Sequence, residues 1–221
     1  MLTLPFPSPH FRLALTLESG REVIARPVLP TDRERLRRGF DALSDRSKLL
    51  RFFAPHPTLT EAELRYLTDV DHVHHAAWGL LSSEGENSKT IPGIGIGRFV
   101  RLPQTPDAAE FSLTVADGDQ GSGAGRLLLA LLLVHARRVD IRSLMGLVED
   151  GNTTVQGWMR RLGLGPRRSP DGLLYSLPTE HSVWQTSSAS SANALAQAVA
   201  QVDAAWGTAA AHQEVQPQND V

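Results

Sequence analysis

The stretch that most constrains this chain runs Val115-Ala116-Asp117-Gly118-Asp119-Gln120-Gly121-Ser122-Gly123-Ala124-Gly125-Arg126-Leu127-Leu128-Leu129. It leaves a segment, Glu110 to Val115, in which Phe111, Leu113 and Val115 alternate with Ser112 and Thr114, the pattern of a half-buried strand. It enters an apolar run that predicts a helix from about Gly123 to Arg138. Glycine at 121, 123 and 125 removes Cβ atoms, so the backbone can approach a ligand and aim several N–H groups one way. The helix N-terminus adds orphan donors and a partial positive charge. An anion, most naturally a diphosphate, belongs at such a turn.

Three phosphate-binding patterns compete for it. A P-loop requires Gly-Lys-Ser/Thr, and Gly125-Arg126-Leu127 fails that test. A dinucleotide fingerprint requires G-x-G-x-x-G near the start of a βαβ unit, which Gly121-x-Gly123-x-Gly125 does not fit. The third pattern, Gln/Arg-x-x-Gly-x-Gly/Ala, is met in full by Gln120, Gly123 and Gly125. On these residues the chain resembles the GNAT superfamily of acyl-CoA-dependent N-acetyltransferases. The element order agrees: strand, loop, helix, strand, then Asn152 opening a helix that ends in Leu162-Gly163-Leu164. The runs Leu50 to Pro57 and Leu64 to His72, with Ala109-Glu110-Phe111, resemble more narrowly the bacterial protein lysine acetyltransferase (Pat-type) branch. The resemblance spans roughly Arg21 to Leu177.

It implies an α/β (α+β) fold: a central mixed, largely antiparallel sheet, splayed at the strand before the CoA loop and flanked by about four helices. It implies acetyl-CoA as co-substrate, with Leu113 and Val115 on the strand that meets the pantetheine arm. Backbone N–H groups of Gln120, Gly121, Ser122, Gly123, Ala124, Gly125 and Arg126 would take the pyrophosphate, and Asn152 would reach the pantetheine. Amine acylation needs the ammonium deprotonated, a task for a carboxylate near the thioester. Glu110 alternates with Ser112 and Thr114 on one strand face, and in the resembling branch a glutamate in an Ala-Glu-Phe context is the base; otherwise it is an ordinary exposed strand glutamate. The helical position where the family often has a tyrosine acid is Met159, which cannot donate a proton. The implied acceptor is an amine, either a protein lysine or a small molecule. A non-catalytic acyl-CoA sensor or interaction module is the alternative of a different class.

Elsewhere the sequence punctuates itself. Residues 1–20 read as a leader with a candidate strand, Phe11 to Leu17, before an acetyltransferase domain over 21–180. Glu22 to Val28 is a short strand, and Thr31-Asp32-Arg33-Glu34 has capping-box form, predicting a helix from Thr31 to about Leu43. Leu49 to Pro57 reads as a connector, and Thr60-Glu61-Ala62-Glu63 opens a second boxed helix. Strands follow at His75 to Leu81 and Ile91 to Arg101, the second with Gly93, Gly95 and Gly97, a sign of a bulge or close packing. The polar segment Ser82 to Thr90 joins them in hairpin fashion, and Ser143 to Glu149 and Leu173 to Leu177 are further strands. Residues 181–221 are rich in Ser, Ala and Gln, which favours a disordered tail; Leu195, Val199, Val202 and Trp206 nonetheless fall at helical spacing.

Composition closes off other classes. With no cysteine, disulfides, thiolate metal sites and a cysteine nucleophile are excluded. A net charge of −2 argues against nucleic acid as the main partner. His72, His74 and His75 lack a further partner set that would make a metal site, so no metal is expected. The N-terminus is a poor signal peptide and no apolar run reaches the roughly 20 residues of a spanning helix, so a cytoplasmic protein without membrane contact is expected, as monomer or homodimer.

Overall fold

Strands rich in alternating apolar residues assemble here into one eight-stranded sheet. The computed structural model describes residues 8–84, 86, 91–180 and 190–215. The strands are β1 (Leu13–Thr16), β2 (Glu22–Pro27), β3 (His75–Ser82), β4 (Gly95–Leu102), β5 (Thr105–Val115), β6 (Ser143–Val148), β7 (Arg167–Ser169) and β8 (Gly172–Pro178). They lie in the order β1-β2-β3-β4-β5-β6-β8-β7. Every pairing is antiparallel except that of β5 with β6. That one parallel contact needs a crossover, supplied by helix α4 (Ala124–Arg138).

Among the described residues six α-helices flank the sheet, where about four were expected. Besides α4 they are α1 (Arg33–Asp41), α2 (Asp45–Phe52), α3 (Glu61–Thr68), α5 (Thr153–Arg161) and α6 (Ser190–Val215). Helix α2 occupies part of the expected connector; Ser44 caps it, its hydroxyl accepting from Ser47 N–H. The box expected at Thr31 does not form. Asp32 instead accepts from Leu29 N–H at 2.9 Å and from the Arg26 guanidinium, so a short 3₁₀ turn precedes α1. The second box does form: Thr60 Oγ1 accepts from Glu63 N–H, and Glu63 accepts from Thr60 N–H at 2.7 Å.

The largest departure is at the C-terminal end. Over Ser190–Val215 the expected disordered tail is a helix, and Leu195, Val199 and Val202 on it are fully buried. It packs on α4 and β1, where Trp206 meets Phe11 and Trp78 at ring distances of 5.0 and 5.1 Å. The Ala- and Ser-rich composition fits a helix that lies close to its neighbours. Low charge, taken alone, does not imply disorder when a four-residue apolar stripe finds a core. The candidate leader strand is likewise built in, as β1, with Leu13 and Leu15 buried. Most of the polar turn after β3 (85 and 87–90) and residues 181–189 lie outside the described residues.

The three glycines near β4 divide between expectations. Cβ atoms at Gly95 and Gly97 would come within 3.0 and 3.4 Å of Leu128 on α4, so close packing is their reason. The register shift falls elsewhere, at Arg101 and Leu102.

Candidate functional site

β5 and β6 pair at only three positions, ending with Glu110 opposite Met145. Beyond them β6 turns to β8 alone, and β5 continues to Val115 with no partner on that edge. The first unpaired residue, Phe111, lies with its ring over Gly146, where a Cβ would be 2.6 Å from it. A wedge-shaped gap results. It is the heart of a cleft of about 500 Å³, open to solvent, walled by β5, β6, α2, α5 and the loop before α4.

Into this cleft the structure brings Glu110, Leu113, Val115, Gln120, Gly121, Gly123, Gly125, Arg126 and Asn152. Gly121 and Gly123 have φ of +80° and +92°, which residues with a Cβ rarely adopt, and that lets the turn present its backbone before α4 begins. Of the expected set, two side chains stay out. Ser122 Oγ donates to Asp119 O at 2.6 Å, and Ala124 is buried beneath the loop. Gln120 turns back on the loop: its Nε2 donates to Ser47 Oγ and Asp117 Oδ1, both at 3.2 Å. Asn152 caps α5, its Oδ1 accepting from Val155 N–H, which leaves Nδ2 as its donor toward the cleft. Met159 also lines the cleft, almost wholly buried.

The loop's two aspartates hold its walls. Asp117 accepts from Ser44 N–H at 2.7 Å and from the hydroxyls of Ser44 and Ser47, tying the start of α2 to the loop. The Ser47 and Ser44 hydrogen bonds keep its carboxyl below the usual range. Asp119 accepts from Arg21 at 2.7 Å, which tethers the β1–β2 turn. From that turn Glu18 reaches over Gly123 and pairs with Arg126. Arg46, Arg126 and Arg161 line the cleft and give it positive charge for phosphates. Burial, then the neighbouring Arg161, holds the Arg126 pKa down. Of these, Glu18, Arg46, Ser47 and Arg161 were not among the sequence candidates. Ser44-x-x-Ser47 is a recognisable cap pattern, but what it approaches is set 70 residues away.

Glu110 faces away from α4. Directly paired residues of an antiparallel ladder share a face, so Glu110, Ser112 and Thr114 lie with Val100, Arg98 and Ile96. Near Glu110 on this side stands Arg51 of α2, whose pKa burial pulls down while the Glu110 carboxylate raises it. His74 and His75 are held by Asp71. Asp71 accepts from Val73, His74 and His75 N–H groups, and His74 Nδ1 lies 3.0 Å from its carboxylate. Among the described residues no group of three metal-ligating side chains occurs, and no helix is long and apolar enough to cross a membrane.

No family model matches the chain. Over 151 residues it is 33% identical to the acetyltransferase Pat of Mycolicibacterium smegmatis, covering 68% of this chain but only 44% of that protein. Over 157 residues it is 29% identical to the acetyltransferase PA5475 of Pseudomonas aeruginosa, covering 71% of this chain and 82% of that one. Among solved structures, the GNAT domain of S. lividans PAT superposes with a TM-score of 0.70 at 28% identity, over 79% of this chain and 99% of that domain.

Proposed function

The chain belongs to the GNAT superfamily, with Pat-type acetyltransferases among its relatives, and from that premise we propose that it transfers an acetyl group from acetyl-CoA to a primary amine with Glu110 as base. The observation that carries this reading is the wedge itself. An unpaired strand edge runs from a glutamate at the last paired position to a glycine turn and the N-terminus of α4.

On this reading the free edge around Leu113 and Val115 hydrogen-bonds the pantetheine arm, with Asn152 Nδ2 on the opposite wall. Backbone N–H groups from Gln120 to Arg126 take the pyrophosphate, and Arg126 must exchange Glu18 for a phosphate. Glu110 removes a proton from the acceptor ammonium. The amine nitrogen then attacks the thioester carbonyl, the C–S bond breaks, and the CoA thiolate leaves. The second proton of the attacking nitrogen passes through water to that thiolate, since Met159 has no proton to give. The acceptor is a protein lysine, as the Pat-type relatives' resemblance implies, or a small-molecule amine.

Calorimetric titration with acetyl-CoA tests the donor half, and a thiol-release assay with polyamines and a lysine-bearing protein tests the transfer. Saturable binding followed by acceptor-dependent release of CoA is the expected result. A protein that does not bind acetyl-CoA sinks the proposal. One that binds but releases no thiol with any amine is a sensor.

A further inference from the structure

A second, smaller chamber, of about 110 Å³, lies on the Glu110 face of the sheet beneath α1 and α3. It shares Arg51 and Thr114 with the cleft, so the two spaces adjoin across these side chains, with Glu110 on the cleft side. Its walls are mostly apolar, with Phe40, Leu43, Phe52, Leu59 and Leu81 among them.

Its charges do not balance. Asp32 is engaged by Arg26 at 2.7 Å, with Arg35 at 3.7 Å. Arg98 is only 6% exposed, and its partners among the described residues are neutral: the Leu67 carbonyl at 3.1 Å and His75 Nε2 at 2.9 Å. A guanidinium can only donate, so His75 accepts through Nε2 as the neutral ring. Burial, then Arg98 itself, lowers the His75 pKa to about 4 and keeps it so. Burial and the nearby Arg51 bring Arg98 down to about 9, still a cation at neutral pH. Arg51 has the Glu110 carboxylate near it, but no carboxylate among the described residues acts on Arg98, and a buried charge without a counter-charge is costly. An anion beside Arg98 removes that penalty and offsets its repulsion with Arg51.

We propose that this chamber binds the acceptor, and that the acceptor is an amino carboxylic acid with an apolar side chain. Its carboxylate lies on Arg98 and Arg51, its side chain among the leucines and phenylalanines, and its amine toward Glu110. This rests on the acetyl-transfer reading above, and it narrows the acceptor from any amine to one that carries its own anion. A lysine side chain on a protein surface has no carboxylate to offer here.

The experiment compares L-phenylalanine with phenethylamine, which has the same ring and amine but no carboxylate. Both are titrated by calorimetry into the full chain after acetyl-CoA. Phenylalanine is expected to bind at least tenfold more tightly, and kcat/KM in thiol release should show the same ratio. Arg98→Met, which keeps bulk without charge, should erase the difference. Equal affinities, or no binding of either while a lysine-bearing peptide is acetylated, would overturn the assignment. If Arg98→Met does not fold, the wild-type comparison of the two ligands decides by itself. Failure of the acetyl-CoA titration defeats the transferase reading instead, and discrimination for the carboxylate would then stand alone as a property of the chamber.

Discussion

On one face of the sheet α4 leaves no space: a Cβ added at Gly97 would sit 3.1 Å from Leu113 and 3.4 Å from Leu128, and α6 seals the outer side of α4 with Val199, Val202 and Trp206. On the other face α1 and α3 rest on a smaller core of their own, built on Phe40, Leu43, Leu64 and Leu67, and between it and the sheet lies the chamber around Arg98. β5 serves both, with Phe111, Leu113 and Val115 turned to one and Glu110, Ser112 and Thr114 to the other. A face filled to native density carries stability and cannot take a ligand. A face held open can, at the cost of buried cations that need an anion. If this division is right, substitutions on the solid face should act on folding and those on the open face on chemistry.

The largest effect is expected from Trp206→Ala. It removes a ring packed against Phe11, Trp78 and His135, with Arg138 over it at 4.6 Å, and should cost about 3–5 kcal/mol in chemical denaturation. Acetyl-CoA affinity of the folded fraction should not change. A loss below about 1 kcal/mol would mean that α6 is an appendage and the solid face ends at α4.

Glu110→Gln should do the reverse. Turnover should fall about 10²-fold, near 2.7 kcal/mol in activation free energy, with unfolding and acetyl-CoA affinity unaltered. A rise in acceptor KM with kcat preserved would make Glu110 an anchor rather than a base.

Acid should weaken the solid face next. His135 accepts from Trp78 Nε1 through Nδ1 at 3.0 Å, and burial brings its pKa to about 3. Because this folded value lies below the ordinary one near 6.5, the unfolded chain binds the proton first as pH drops. The contribution is therefore complete above about pH 6.5 and is lost as pH falls toward 3, by roughly 2 kcal/mol between pH 7 and 5 for this residue. Denaturation curves that superimpose at pH 7 and pH 5 would contradict the burial of a neutral ring.

Gly125→Ala should give the smallest change and the cleanest separation. Gly125 sits in the first turn of α4, and a Cβ there meets nothing nearer than Val115 Cγ2 at 3.7 Å. The fold should tolerate it, or gain about 0.5–1 kcal/mol. The methyl enters the cleft, so acetyl-CoA affinity should drop about tenfold, or ~1.4 kcal/mol by titration. Gly123→Val separates less well, since its φ of +92° would add backbone strain to any loss of binding. Unchanged affinity in Gly125→Ala would remove this turn from the donor site.

What could be read in advance follows the same division. The donor cleft is made largely of backbone from one continuous stretch, and the residues that free that backbone, Gly121, Gly123 and Gly125, are visible as letters. The strand before it and the helix after it follow from apolar periodicity alone. Helix α2 was hidden because its Ser44 cap and its few apolar residues say little until Asp117 is beside them. The low charge of the tail resembles a disordered segment, and only the surface of α4 and β1 explains the stripe from Leu195 to Trp206.

By itself, then, the sequence determined the element order, the glycine turn, the absence of thiol chemistry and the identity of Glu110 and Met159. The tertiary structure alone decided that β5 parts from β6 after Glu110, that Asp117 and Asp119 clamp the loop, and that Arg51 and Arg98 converge in one chamber. The physical reason is range. Backbone conformation and hydrophobic period are local properties written in neighbouring residues. The counter-charge of a buried guanidinium depends on every segment that packs around it, and no spacing within the chain records which segments those are.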